Sequence, residues 1–101
     1  MTDKELLELA AKAIGLKLRY NYLGGRDANQ PWDPLEDDGD ALRLAVKLKM
    51  RIGIDSIPVG YVVVMSDDPL QKDTHELIVD DPYAATRRAI TRAAAEIGKA
   101  I

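Results

Sequence analysis

The five-residue run Tyr61–Met65, with the sequence YVVVM, constrains the fold more than any other part of the chain. Successive side chains of a β-strand point to opposite faces, so this run is apolar on both of its faces. Such a strand is typical of the centre of a sheet that is covered on both sides. Pro58 has no N–H to donate to a neighbouring strand, so we expect the pairing to begin near Val59.

The remaining elements follow from local patterns of apolar and polar residues. A Thr-x-x-Glu capping box at Thr2 and Glu5 predicts the start of the first helix. Asp81 followed by Pro82 predicts the start of the last one. Strict alternation of apolar and polar residues predicts a strand in the segment LKLRYNYL. The predicted helices cover residues 3–14, 40–50 and from 82 onward, and the predicted strands cover 16–23, 59–65 and 74–81.

These elements follow one another in the order α-β-α-β-β-α. The chain has 101 residues, a length suited to one domain. We therefore predict an α+β fold in a single domain over residues 1–101. In this fold a small, mainly antiparallel three-stranded sheet is covered by helices on both faces, as an αβα sandwich.

Composition excludes several classes of protein. Cysteine is absent, which excludes disulfides and cysteine-bound metals and fits a reducing cytoplasm. The longest apolar run is far shorter than the roughly 20 residues of a membrane helix, and the N-terminus shows no cleavable signal pattern. The net charge of −3 and the absence of Phe disfavour nucleic-acid binding. We expect a cytoplasmic protein without a membrane partner.

A cluster of acids precedes the second predicted helix. One hypothesis is a divalent metal site in a carboxylate–metal enzyme, because hard cations bind clustered carboxylates. The calcium-loop pattern does not fit, since Gly39 at its sixth position puts Pro34 first and Ala45 twelfth. The interpretation we favour is that Asp38 or Asp40 caps the helix and the other acids stabilise the positive end of its dipole. The acids are Asp33, Glu36, Asp37, Asp38 and Asp40.

A second set of candidates suits a phosphate-bearing ligand. Arg87, Arg88 and Arg92 lie on or beside the polar face of the last helix and could bind the phosphates of a nucleotide, with Trp32 as a further contact. The alternative is a solvated helix face for the arginines, and for Trp32 a loop residue that covers an edge of the core. His75, the only histidine, has no partner at a metal-ligand spacing, and no phosphate-loop, dinucleotide-binding or nucleophile-elbow motif occurs. We therefore predict no catalytic residue and no cofactor.

The second predicted helix is apolar around more than half of its circumference. One stripe contains Leu42 and Val46, and another contains Ala41, Leu44 and Ala45. Such a helix is either buried on two sides or presents an apolar surface to a partner. A protein partner or a second copy of the chain is therefore expected to bind through this helix.

Two segments, WDPLEDDGDALRLAVKLKM and RAITRAAAEIGKAI, resemble the phage ABA sandwich domain, a family of small phage and prophage proteins. Its members typically combine a Trp-Asn/Asp-Pro-Leu start, an acidic run with Asp-Gly-Asp, and an alanine-rich C-terminal helix. Residues 32–48 and 88–98 carry the match. The resemblance implies a sheet between helical layers and a phage or prophage gene, and it implies no activity or catalytic residue.

Four functions stay open from the sequence. The leading one is a non-enzymatic accessory protein of phage origin that binds a protein, including a copy of itself. The second is a small-ligand binder that sequesters a nucleotide signal of host defence, using the arginines and the loop after Gly25. The third is the carboxylate–metal enzyme, and the fourth is nucleic-acid binding, which the negative charge disfavours.

Overall fold

A computed structural model describes residues 1–19, 22–23, 31–55 and 60–101. The described chain forms three helices and five strands in an α+β arrangement, which confirms the predicted class. The helices are α1 (Asp3–Ala13), α2 (Asp38–Lys47) and α3 (Pro82–Lys99). The strands are β1 (Leu18–Arg19), β2 (Tyr22–Leu23), β3 (Arg51–Asp55), β4 (Tyr61–Met65) and β5 (Thr74–Leu77).

Two helix starts form as the sequence predicts. At α1 the Thr2 hydroxyl accepts a hydrogen bond from the Glu5 N–H at 3.2 Å, and the Glu5 carboxylate accepts one from the Thr2 N–H at 3.4 Å. At α3 the Asp81 carboxylate accepts hydrogen bonds from the N–H groups of Tyr83 and Ala84. These contacts satisfy backbone donors that have no partner within the helix.

The main sheet has the strand order β3-β4-β5, and both pairings are antiparallel. The predicted central strand is therefore confirmed as β4, with Val64 lying between Ile52 on one side and Thr74 on the other. The predicted start at Val59 lies outside the described residues, and β4 is described from Tyr61.

Two strand predictions are corrected by the pairing. The third strand of the sheet is β3, although no separate strand was predicted in the segment RIGID. The predicted single strand over 16–23 is instead two strands, because Leu18 pairs with Leu23 and Arg19 pairs with Tyr22. An alternating pattern does not show whether a segment is one strand or two strands that pair with each other, so the two look alike in sequence.

The helices cover one face of the main sheet. Val62 and Val64 are fully buried on the face that α3 contacts, whereas Tyr61, Val63 and Met65 on the opposite face are only partly buried. The helical cover expected on both faces is thus found on one face of the described sheet. The reason is that α1 and α2 both pack against α3 rather than crossing to the other side.

Helix α3 lies at the centre of the molecule. It contacts α1, α2, β4 and β5, and its packing surface consists mainly of alanine. The hydroxyl of Thr91, which is fully buried, donates to the Arg87 carbonyl at 2.8 Å. Small side chains allow neighbouring elements to approach α3 from several directions. The buried residues of α3 are Ala85, Ala89, Ile90, Thr91, Ala93, Ala94, Ala95 and Gly98.

Within the described residues, no helix has both the length and the apolar character that crossing a membrane requires.

Candidate functional site

The acidic segment before α2 acts as a helix start. The N-cap is Asp37, whose carboxylate accepts a hydrogen bond from the Asp40 N–H at 2.8 Å. The prediction that the acids cap this helix is confirmed, but the capping residue is neither Asp38 nor Asp40. The helix begins at Asp38, two residues before the predicted start, because the Asp37 carboxylate reaches the backbone N–H three residues further on.

Asp40 connects the segment to the helix. Its carboxylate is nearly buried, accepts a hydrogen bond from the Asp33 N–H at 2.9 Å and pairs with Arg43 at 2.7 Å. The Asp33 carboxylate in turn accepts a hydrogen bond from the Leu35 N–H. Since each contact satisfies a backbone donor or a cation, these carboxylates hold the chain entering α2 in one conformation.

Arg87 of α3 reaches the same segment from the opposite side. Its Nε donates to the Leu35 carbonyl at 2.9 Å, and its Nη1 donates to the Asp38 carboxylate at 2.7 Å. The hydrogen bond with Asp38 raises the pKa of the Arg87 guanidinium, while burial acts in the opposite direction. The guanidinium is therefore a permanent positive charge within the acidic segment.

The five proposed metal-binding acids do not converge on one point. Asp37 and Asp40 bind backbone N–H groups, Asp38 binds Arg87, and Glu36 is exposed to solvent. In the described parts of the chain, no group of three or more His, Asp or Glu side chains has an arrangement that could hold a metal ion. The metal hypothesis thus has no geometric support in this segment.

The predicted ligand-binding arginines are separated in the structure. Arg88 pairs with Asp3 of α1 at 3.2 Å, and Arg92 pairs with Glu76 of β5 and donates to the His75 carbonyl. Arg88 and Arg92 line a common cavity of about 400 Å³, but Glu76 and Glu96 line it too. Arg87 lies at a different place, between α3 and the acidic segment.

Trp32 and His75 have structural surroundings. Trp32 is 6% exposed and belongs to the hydrophobic core, which confirms the prediction that it covers the core. His75 is an exposed residue of β5, with its ring 6.0 Å from the ring of Tyr61. The loop 24–30, which was a further candidate for ligand contacts, lies outside the described residues.

An apolar groove of about 340 Å³ lies between α2, α3 and β3. Four large apolar residues from three elements border it and are exposed to solvent, and we call them the groove residues: Leu42, Ile52, Ile54 and Tyr83. Leu42 is 60% exposed, and Val46, one helical turn further along α2, is 69% exposed. The sequence left two possibilities for the apolar stripes of this helix, burial on two sides or an apolar surface; in the structure the stripe of Leu42 and Val46 is exposed.

Two of the groove residues, Ile52 and Ile54, were not predicted from the sequence. They pair with Val64 and Val62 of β4, so they share the helix-covered face of the sheet. Alternation of isoleucine with Arg, Gly and Asp in RIGID is the signal for a strand with one apolar face. The strand was not predicted because RIGID was interpreted together with the following SIPVG as a single stretch leading into β4.

Comparisons of this chain with protein-family models, with curated proteins and with solved structures give no significant match. The resemblance of residues 32–48 and 88–98 to the phage ABA sandwich domain therefore stays a prediction from the sequence.

Proposed function

We propose that this protein is a non-enzymatic accessory protein of phage or prophage origin that acts in the host cytoplasm by binding another polypeptide chain. The observation that carries the proposal is the groove, where Leu42 at 60% exposure and Ile54 at 63% exposure lie on neighbouring elements. Contiguous exposed apolar surface on a small domain marks interaction sites. The phage origin is supported by the sequence resemblance alone.

A sheet edge adds to the suitability of the groove for a protein. Among the described strands, β3 pairs only with β4, so no described strand occupies the backbone N–H and C=O groups of its other side. A polypeptide can add to such an edge with main-chain hydrogen bonds, while its side chains enter neighbouring apolar pockets. The groove residues and this edge together provide both kinds of contact.

Site-specific photo-crosslinking in the cells that make the protein tests the proposal. A photoreactive amino acid placed at Leu42 is expected to form one defined protein adduct, which is lost when Ile54→Lys is introduced into the same chain. The matched control is the same probe at Leu70, which is 89% exposed and does not line the groove. Absence of an adduct at Leu42, or equal adducts at both positions, would contradict the proposal.

The nucleotide-signal binder is a weaker alternative. Arg88 and Arg92 share a cavity, but carboxylates of Asp3 and Glu76 already pair with them, so a phosphate would have to displace these partners. A ligand that binds only the folded state raises the melting temperature. Stabilisation by nucleotides at millimolar concentration, lost in Arg92→Met, would favour this alternative over protein binding.

A further inference from the structure

We infer that the chain bound at the groove is a second copy of this protein, and that the two copies pair their β3 strands antiparallel about a twofold axis at Gly53. This inference rests on the proposed function, because it names the occupant of the same surface. It follows from the chemical symmetry of β3, from the face on which its isoleucines lie and from the exposure of its side chains.

The sequence of β3, RIGID, is complementary to itself when it runs antiparallel. Centring the pairing on Gly53 places Arg51 opposite Asp55 of the second copy and Ile52 opposite Ile54 of the second copy. Directly opposed side chains in an antiparallel pair have Cβ atoms about 4.5–5.5 Å apart, close enough for ion pairs and apolar contacts. The twofold axis repeats each contact, so one strand supplies two ion pairs and two isoleucine pairs.

The pairing also keeps the apolar face continuous. Ile52 and Ile54 are both on the helix-covered face, since their partners in β4 are Val64 and Val62. A twofold axis perpendicular to the sheet leaves that face on the same side in both copies. The result is a six-stranded antiparallel sheet in which the two grooves lie beside each other and isoleucines of one copy cover those of the other.

The side chains of β3 are accessible for this contact. Ile54 is 63% exposed, Ile52 is 37% exposed, and Arg51 and Asp55 are exposed to solvent. The Asp55 carboxylate accepts a hydrogen bond from the Tyr61 hydroxyl at 3.3 Å. A carboxylate has about four acceptor positions, so an ion pair to Arg51 of the second copy would add to the contacts that Asp55 already makes within its own chain. Gly53, at the axis, has no side chain, so no side chain opposes its counterpart at the centre of the pairing on the face opposite to the isoleucines.

Sedimentation equilibrium of the full chain and its charge variants tests the inference. The wild-type chain is expected to show a monomer–dimer equilibrium. Arg51→Asp and Asp55→Arg each place like charges opposite each other twice and are expected to weaken the dimer about tenfold or more. The double variant R51D/D55R restores opposite charges and is expected to recover most of the affinity.

An apolar pair of variants provides the matched control. Ile54→Lys is expected to abolish the dimer, whereas Leu77→Lys, at a 62% exposed position on the other edge strand, is expected to leave it unchanged. Thermal melting of each variant monitors folding. Concentration-dependent protection of β3 amides from hydrogen exchange is a second readout, which a contact elsewhere on the surface would not produce.

The outcomes separate this inference from the proposed function. A chain that stays monomeric at near-millimolar concentration, or a dimer that is insensitive to Arg51→Asp and Ile54→Lys, overturns the β3 pairing. If a monomeric chain still forms one defined adduct with a different protein at Leu42, binding at the groove stands and only the second copy is wrong. If neither a dimer nor an adduct is found, both proposals fail.

Discussion

Gly98 of α3 lies directly against the backbone carbonyl of Leu9 in α1. A Cβ atom at position 98 would overlap this carbonyl and would also lie 3.3 Å from the Ala13 N. Because the obstructing atoms belong to the backbone of a helix, a side-chain rotation cannot relieve the overlap. This contact sets how closely the two helices of the most extensive interface approach each other.

We expect Gly98→Ala to lower the free energy of unfolding by about 3 kcal/mol or more, since α1 and α3 would have to separate. Urea denaturation measures the change. Gly39→Ala is the control, because its Cβ would meet only side-chain atoms of Asp37 and Arg43 and no backbone atom. A small shift of the Asp37 cap is expected to offset part of the gain in helix propensity. The control is expected to differ from wild type by less than about 1 kcal/mol. Similar stabilities of the two variants would show that the α1–α3 contact is looser than described.

Asp37→Ala removes the N-cap of α2 and is expected to lower the free energy of unfolding by about 1 kcal/mol. Asp37→Asn keeps an acceptor oxygen, so its loss of stability should be smaller. Thermal or chemical denaturation with and without Mg²⁺ or Ca²⁺ makes the measurement. A rise in melting temperature with either cation, abolished by Asp37→Ala, would instead support the carboxylate–metal hypothesis.

Arg87→Met is expected to lower the free energy of unfolding by about 1.5–3 kcal/mol. The substitution removes the hydrogen bonds to the Leu35 carbonyl and to the charged Asp38 carboxylate. The Arg87 side chain is only 15% exposed, so water replaces these bonds poorly. The control is Arg88→Met, whose pair with Asp3 is exposed and should contribute less than about 1 kcal/mol. If Arg87→Met and Arg88→Met lower the free energy of unfolding equally, the Arg87 contacts do not hold α3 against the acidic segment.

The Arg87 contacts also have a defined pH dependence. The pKa of this guanidinium is raised in the folded state, so its stabilisation is fully present below the ordinary arginine pKa and is lost only above it. The difference in unfolding free energy between wild type and Arg87→Met should therefore not decline between neutral pH and pH values of about 10. A decline in that range would assign the difference to another group.

Two helix ends allow a test of backbone strain. Gly15, after α1, and Lys49, after α2, both have positive φ, and each follows a C-cap that donates to carbonyls of the last turn. Lys49→Gly is expected to raise the free energy of unfolding by about 0.5–1 kcal/mol, because glycine adopts positive φ without strain. Gly15→Ala is expected to lower it by about 1 kcal/mol. Since no atom lies within 4 Å of the added Cβ, this loss would come from the backbone alone. A neutral Lys49→Gly would show that the Lys49 side chain compensates for the strain.

The sequence by itself determined the features that depend on neighbouring residues. Thr2 with Glu5, and Asp81 with Pro82, define helix starts because the groups that bind one another are at most three residues apart. The apolar run of β4 indicated a central strand for a similar reason, since an unbroken apolar run is visible within one segment. The cover that the run also predicted for the second face was wrong for the helices, which lie on the face of Val62 and Val64. The acids before α2 were also recognised as helix-start residues, although the cap proved to be Asp37.

Only the tertiary structure decided the features that depend on distant segments. Pairing and packing across the chain set the division into β3 and β4 and the antiparallel pairing of β1 with β2. They also set the placement of all three helices on one face of the sheet. The same holds for Arg87, whose partner Asp38 lies 49 residues away. The groove residues come from α2, β3 and α3, so their proximity is a consequence of how these elements pack on one another, which no local pattern encodes.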